Sequence, residues 1–508
     1  MDLTHKLGFG ASALAESESV FSWLTEGPSM THKNFIAGSW CEGIERVADI
    51  NPSDLGDVIG HYAQAGDSDL GNALDAAREG YRQWAKSGLE QRYDGLMAIG
   101  RELMSRADEL GEQLSREEGK PKAEGMGEVY RSGQFFTYYA AQVLRQMGDC
   151  TDSVRTGVDV EARREPLGVV AVITPWNFPM ATAAWKIAPA LAFGNAVIWK
   201  PANLTPATAI NLTEIISRQN LPGGVFNLVM GRGSSIGDAL VGSERIDAVS
   251  FTGSLNSGRS IATRAVSNLT KIQLEMGSKN GLYIDEDANL DVAVECAING
   301  AFFSTGQKCT ASSRLIIHAA VHDEFVHKMK QATEELRVGH ALEERTQIGP
   351  VVDEAQLEQN ERYLELGQSE GAELVCGGNR VKRVTRGYFM SPALFVNGHN
   401  DMRINREEIF GPITCVIKAE DYDHGLALVN DTGYGLTSGI VTRSLSKASH
   451  FKRNAETGCV MVNLPTAGTD YHVPFGGRKD SSYGSREQGS YAAEFYTQVK
   501  TCYTRANT

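Results

Sequence analysis

Short, uninterrupted apolar runs recur through the middle of the chain. GVVAVITP (168–175), AVIW (196–199), VFNLV (225–229) and DAVSF (247–251) each read as a strand buried on both faces, with small-residue or amphipathic helical stretches between them. That alternation predicts a doubly wound parallel sheet. A second series begins after Gly277: GLYID, RLIIHAA, GPITCVIK, GIVTR and GCVMVN, with helical DEFVHKMKQATEELR interleaved. It predicts a second α/β unit. Ahead of both, Ser68 to Met147 carries helical patterning with charges throughout. The apolar stretch from Gly168 to Trp185 is broken by Pro175, Asn177 and Pro179, so no membrane span is expected.

Composition narrows the picture. The chain has 508 residues with a formal charge of −14, unsuited to coating nucleic acid or an anionic membrane. With 42% hydrophobic and 22% charged residues it reads as an ordinary globular protein, and its length suggests about three structural units. Eight scattered cysteines form no CxxC pair, which argues against a disulfide scaffold or a metal site and for a reducing compartment. The first 29 residues hold Asp2, Glu16, Glu18 and Glu26 and no Arg, unlike a targeting sequence, so the expected location is the cytoplasm. They read as an extension preceding the folded region.

Several residues carry candidate chemistry. Cys309, in a Gly-containing loop beside Lys308 and among Ser and Thr, is a candidate nucleophile; the other seven cysteines read as small core residues. Glu275 ends an apolar run just before a Gly, as a general base at a cleft mouth or as a solvent-facing terminus group. Asn177, held between two prolines, either caps the following helix or donates its amide to an oxyanion. GRGSSIG (231–237) is one residue too long for the dinucleotide fingerprint. Gly253 and Ser254 follow a strand and open a helix near Asn256, where free backbone N–H groups can receive a phosphate.

Taken in order, PWNFP, WKPA, FTGS, LEMGSKN, GQKC, EEIFGP and PFGGRK resemble the aldehyde dehydrogenase superfamily across nearly the whole chain from about Met30. The resemblance implies two doubly wound Rossmann-like domains plus a small β oligomerisation flap. It assigns 30–147 and 168–277 to an NAD(P)-binding domain, 278–478 to a catalytic domain, and 148–167 with 479–508 to the flap and tail. It implies Cys309 as nucleophile, Glu275 as base, and Asn177 with the Cys309 N–H as oxyanion hole. Lys200, Glu408 and Phe410 would hold the ribose moieties, and Trp176, Gly253 and Ser254 would line the adenosine and pyrophosphate. Thr174, Pro175, Asn203 and Met276 complete the implied cofactor set. No metal is implied. A homodimer or homotetramer is expected, with the C-terminal YAAEFYTQVKTCYTR completing a partner's sheet.

Two features bear on specificity. Where many NAD-preferring members of the family have KPxE, this chain has Lys200, Pro201, Ala202 and Asn203. Without that acid a 2′-phosphate is tolerable, so NAD and NADP both stay open. Arg131 falls where the resemblance puts a tunnel-lining residue; it reads either as a cation for a substrate carboxylate or as a solvated helix-face Arg paired with Glu128. Trp185 stands where succinate-semialdehyde-type members carry Arg. NLPTAGTDYHVPFGGRKDSSYGSREQG resembles the α-ketoglutarate semialdehyde (2,5-dioxopentanoate) dehydrogenase branch, with Thr466, Thr469 and His472 as candidate substrate contacts beside Phe178 and Phe303. The expected substrate is an ω-oxo acid, 2,5-dioxopentanoate first. The alternatives are succinate or glutarate semialdehyde, a sulfonated or sugar-derived aldehyde, CoA-acylating chemistry, or a non-enzymatic relative.

Overall fold

The computed structural model describes residues 31–145 and 148–505; the N-terminal extension expected over 1–29 lies outside the described residues. The predicted buried runs become the parallel centre of an eight-stranded sheet. Its spatial order there is Lys271–Glu275, Ala248–Thr252, Val169–Ile173, Ala196–Lys200 and Phe226–Leu228, with Ser482–Tyr483 on one edge and Asn34–Ile36 and Ser39–Cys41 on the other. Burial on both faces explains the unbroken apolar runs. Val170, Val172, Val197 and Trp199 point into one core with the helices Leu89–Ser105, Lys122–Val143 and Pro179–Ala192, while Val169, Ala171, Ala196 and Ile198 point into the other with Asp67–Trp84 and Leu255–Ser267.

The second series forms a seven-stranded sheet, six strands parallel, in the order Glu373–Cys376, Ala393–Gly398, Ile413–Ala419, Ser312–His318, Asn280–Ile284, Thr437–Val441 and Cys459–Val462. A three-stranded antiparallel flap stands apart, with Val158–Pro166 between Gly148–Asp152 and the C-terminal strand Thr497–Arg505. The strand runs in register along its own chain's flap, Thr497 opposite Pro166 through Arg505 opposite Val158, and completes that sheet itself.

The cysteines also depart from the sequence reading. Only Cys296 and Cys415 are buried; Cys150 is exposed and the rest are half-buried. Among the described residues no helix is long and apolar enough to cross a membrane, and no group of three or more His, Cys, Asp or Glu side chains is arranged to hold a metal ion.

Candidate active site

In the first sheet, chain order runs outward in both directions from the gap between Val169–Ile173 and Ala248–Thr252. A ligand crevice opens outside the C-terminal ends of such strands. Thr174, Pro175 and Trp176 follow one of these strands, Lys200 ends another, Gly253 and Ser254 follow a third, and Glu275 with Met276 closes a fourth. The candidate cofactor residues therefore share one rim. Thr174 is buried and its hydroxyl accepts the Trp199 indole N–H at 2.9 Å. Ser254 caps the helix Leu255–Ser267, its hydroxyl accepting the Ser257 N–H at 3.3 Å, while the Gly253 N–H donates to the Glu275 carbonyl. Burial pulls the Lys200 ammonium down to about 8. Asn203 donates to Gln64 at 3.2 Å and leaves its buried Oδ1 without a partner.

Glu408 and Phe410 come from a loop of the second sheet. Glu408 accepts the Ser278 N–H at 3.0 Å, and burial raises its carboxyl to about 7. A Cβ on Gly277 would lie 1.9 Å from its Oε2, so the carboxylate lies against this glycine only because the side chain is missing. Phe410 adopts a φ of +60° and packs edge-on against Trp176, ring centroids 5.5 Å apart. The rim, the Gly277 cradle and the orphaned Asn203 oxygen fit a dinucleotide.

Cys309 lies between the helix Leu290–Phe302 and the strand Ser312–His318, after a turn in which Ser304 and Thr305 both take φ of +54°. Strain of that kind persists only where neighbours over-determine it. Here they do: Glu124 accepts both the N–H and the hydroxyl of Ser304, Thr305 donates to the Gly349 carbonyl, and Gln307 accepts the Val352 N–H. Asn280 donates to the carbonyls of Cys309 and Ala311, and the Thr466 hydroxyl donates to the Thr310 carbonyl at 2.7 Å. Thr466 is thus fully buried, with its hydroxyl fastened to the Cys309 loop. Lys308 does not activate the neighbouring thiol as its position suggested. It is buried, lowered to about 8, and donates to the Asn299 carbonyl at 2.7 Å. Burial and the carboxylates of Glu408 and Glu275 hold the Cys309 thiol well above its usual range.

Asn177 is not a helix cap. The helix Pro179–Ala192 begins after Phe178 with no side-chain cap, and its Met180 and Ala181 N–H groups are accepted by Glu128 at 2.9 and 3.1 Å. The Asn177 amide instead donates to the Gln307 carbonyl at 2.9 Å, two residues from Cys309. Glu275 is buried and accepts the Ser482 hydroxyl at 2.5 Å. Desolvation, reinforced by Glu487, raises its carboxyl far above the ordinary range. Glu487 in turn is ion-paired to the buried Lys186.

On the substrate side, Glu128 is committed to Lys120 and the helix N-terminus, so the pairing of Arg131 with Glu128 is not formed. The Arg131 guanidinium lies over the Tyr471 ring, 5.5 Å from its centroid, with no carboxylate in ion-pair range among the described residues. Tyr471 contacts Phe135 and Tyr138 edge-on, and Trp185 packs against Phe135 and Phe475. Phe178 lies under the Lys120 ammonium; Phe303 and Thr469 are half-buried, and His472 is exposed. Sequence reasoning missed Lys120, Tyr471 and Ser482. No local pattern marks them, because Tyr471 and Ser482 meet Arg131 and Glu275, and Lys120 meets the Asn177 carbonyl, across long stretches of chain.

The family model described as "Aldehyde dehydrogenase family" matches residues 40–502. The chain is 38% identical to alpha-ketoglutaric semialdehyde dehydrogenase of Bacillus subtilis (strain 168) over 479 residues, covering 94% of this chain and 98% of that protein. It is 40% identical to 2,5-dioxopentanoate dehydrogenase of Saccharolobus solfataricus over 473 residues, covering 92% and 98%. Among solved structures, betaine aldehyde dehydrogenase of Staphylococcus aureus in complex with NAD+ superimposes with a TM-score of 0.92 at 31% identity, covering 94% of this chain and 96% of that one.

Proposed function

Because the chain belongs to the aldehyde dehydrogenase family, we propose that it oxidises an ω-oxo acid, 2,5-dioxopentanoate first, to the corresponding carboxylate, here 2-oxoglutarate, with NAD or NADP. The observation that carries the substrate reading is Arg131, a cation held by an aromatic ring with no carboxylate partner among the described residues. A substrate carboxylate would supply that partner. The relatives named for this substrate support the same reading.

In this reading the Cys309 thiol loses its proton to solvent water and the thiolate sulfur adds to the aldehyde carbon. The Asn177 amide and the Cys309 N–H stabilise the resulting alkoxide. A dinucleotide bound along this rim would supply the hydride acceptor that lets the alkoxide collapse to a Cys309 thioester. Glu275 then removes a proton from water, the hydroxide adds to the thioester carbonyl, and the Cys309 sulfur leaves as the acid forms. Lys200, Glu408, Phe410, Trp176, Gly253, Ser254, Thr174, Pro175 and Met276 would hold the dinucleotide, and the neutral Asn203 accommodates either a ribose hydroxyl or a 2′-phosphate. The exposed Val499 and Tyr503 on the flap's outer strand support a homodimer or homotetramer, and eight free cysteines support a cytoplasmic setting.

A kinetic panel tests the substrate. kcat/KM is expected to be highest for 2,5-dioxopentanoate, ahead of succinate semialdehyde, glutarate semialdehyde and propanal. In Arg131→Leu, KM for the acidic aldehydes should rise on the order of tenfold or more while propanal is unaffected. Equal efficiency for propanal in the wild type would dispose of the carboxylate reading.

A further inference from the structure

The turn that carries Asn177 is braced by a buried charge cluster with no direct place in the reaction. Lys120 is 2% exposed, and its ammonium makes two hydrogen bonds, to Glu128 Oε2 at 2.7 Å and to the main-chain carbonyl of Asn177 at 2.6 Å. It also sits 4.0 Å from the centroid of the Phe178 ring, the next residue along. Glu118 accepts the Lys120 N–H at 2.9 Å and lies 3.8 Å from its ammonium, so the cation is held between two buried carboxylates. The other oxygen of Glu128 accepts the Met180 and Ala181 N–H groups. Residues 177 to 181 are therefore gripped at both ends by one Lys–Glu pair.

Glu128 sits on a helix that holds the Cys309 loop as well, and Lys120 lies just ahead of that helix. Glu124, one turn ahead of Glu128 on Lys122–Val143, binds the N–H and hydroxyl of the left-handed Ser304. Both halves of the site are thus fastened to a single rigid element, with the Asn177 amide bridging them at the Gln307 carbonyl. Ions this deeply buried are retained only where their geometry is fully matched, and removing one partner leaves the other charge uncompensated. A carbonyl pinned by an ammonium fixes the peptide plane, and with it the direction of the Asn177 side chain.

We propose that Lys120 and Glu128 are positioning residues that set the angle at which the Asn177 amide meets the alkoxide. This rests on the assignment of Asn177 to the oxyanion hole. Donors of that kind act only when held in advance within a fraction of an ångström of the developing charge.

The test is a double-mutant cycle read by the pre-steady-state burst of reduced cofactor. Lys120→Met should slow the burst on the order of tenfold or more with KM for the aldehyde within about twofold, since a transition-state interaction is lost while ground-state binding is kept. Asn177→Ala should slow it by about a hundredfold or more. In the doubly substituted protein the burst should be no slower than in Asn177→Ala alone, because the positioning residue has nothing left to position. Glu128→Gln keeps an acceptor for Met180 and Ala181 and guards against misfolding; it should give an intermediate loss that is likewise absent in the Asn177→Ala background. Losses that multiply in the double variant, or wild-type bursts in Lys120→Met and Glu128→Gln, overturn the proposal while leaving Asn177 in its role. A wild-type burst in Asn177→Ala overturns the oxyanion assignment, and the positioning inference falls with it.

Discussion

Cys309 and Glu275 lie in the same buried region, and desolvation works on both in one direction: it holds the thiol and the carboxyl in their protonated forms. The reaction needs both deprotonated, so kcat and kcat/KM should rise with pH through neutrality and beyond. Cys309→Ala should lower turnover by at least about a thousandfold, and Glu275→Gln should give one burst of reduced cofactor followed by a stall with the thioester accumulated. Glu275→Gln should also lose the part of the alkaline rise that belongs to the base. A steady-state rate near wild type in either variant, or activity that falls as pH rises through neutrality, contradicts these roles. The raised Glu275 carboxyl was one of two readings the sequence left open, whereas the raised Cys309 thiol was not legible there. Lys308 beside Cys309 suggested the opposite shift, but its ammonium is directed to the Asn299 carbonyl.

Among the elements, the strands were the most legible. Runs such as VVAVI and AVIW are apolar at every position because each strand is covered on both faces. The flap strand VDVEARREP has no such signal, being half-exposed along its length. A buried acid pair was equally invisible. Asp49, 5% exposed on the strand Glu45–Ile50, bonds Glu117, which also accepts the N–H and hydroxyl of Thr208 at the start of the helix Pro206–Ser217. Burial and mutual repulsion push Asp49 up to about 10, and burial pushes Glu117 to about 7. In the unfolded chain both ionise near about 4. The folded state thus holds extra protons between those values, and stability falls as pH rises across the window. Asp49→Asn keeps a donor toward Glu117 and removes one titration, so Tm measured between about pH 6 and 9 should decline less steeply than in the wild type. An unchanged slope would show that Asp49 is ionised in the fold.

At the scale of the whole molecule, the flap joins the C-terminal strand to the first domain. Its outer strand Thr497–Arg505 is the last described segment, and it follows the short helix Ala492–Tyr496 whose Phe495 and Tyr496 are buried in the core of the first domain. Ending the chain after Tyr496 should strip the central flap strand of one partner and leave a new unpaired edge. Light scattering should then report loss of the proposed homo-oligomer or aggregation, together with a lower Tm. A truncated protein with wild-type mass and melting would remove the C-terminal strand from any part in assembly.

The sequence by itself determined the two α/β units and their buried strands, because buried strands leave local signatures in composition and spacing, while Cys309, Glu275 and Asn177 stood out through the resemblance of their motifs to a known family. Only the tertiary structure decided what each group does with its neighbours. It put Glu128 on Lys120 and a helix N-terminus instead of on Arg131, gave the Thr466 hydroxyl to the Cys309 loop, and paired the C-terminal strand with the flap of its own chain. The physical reason is that hydrogen bonds and desolvation are set by what lies within a few ångströms, and in a doubly wound fold those neighbours come from distant parts of the chain.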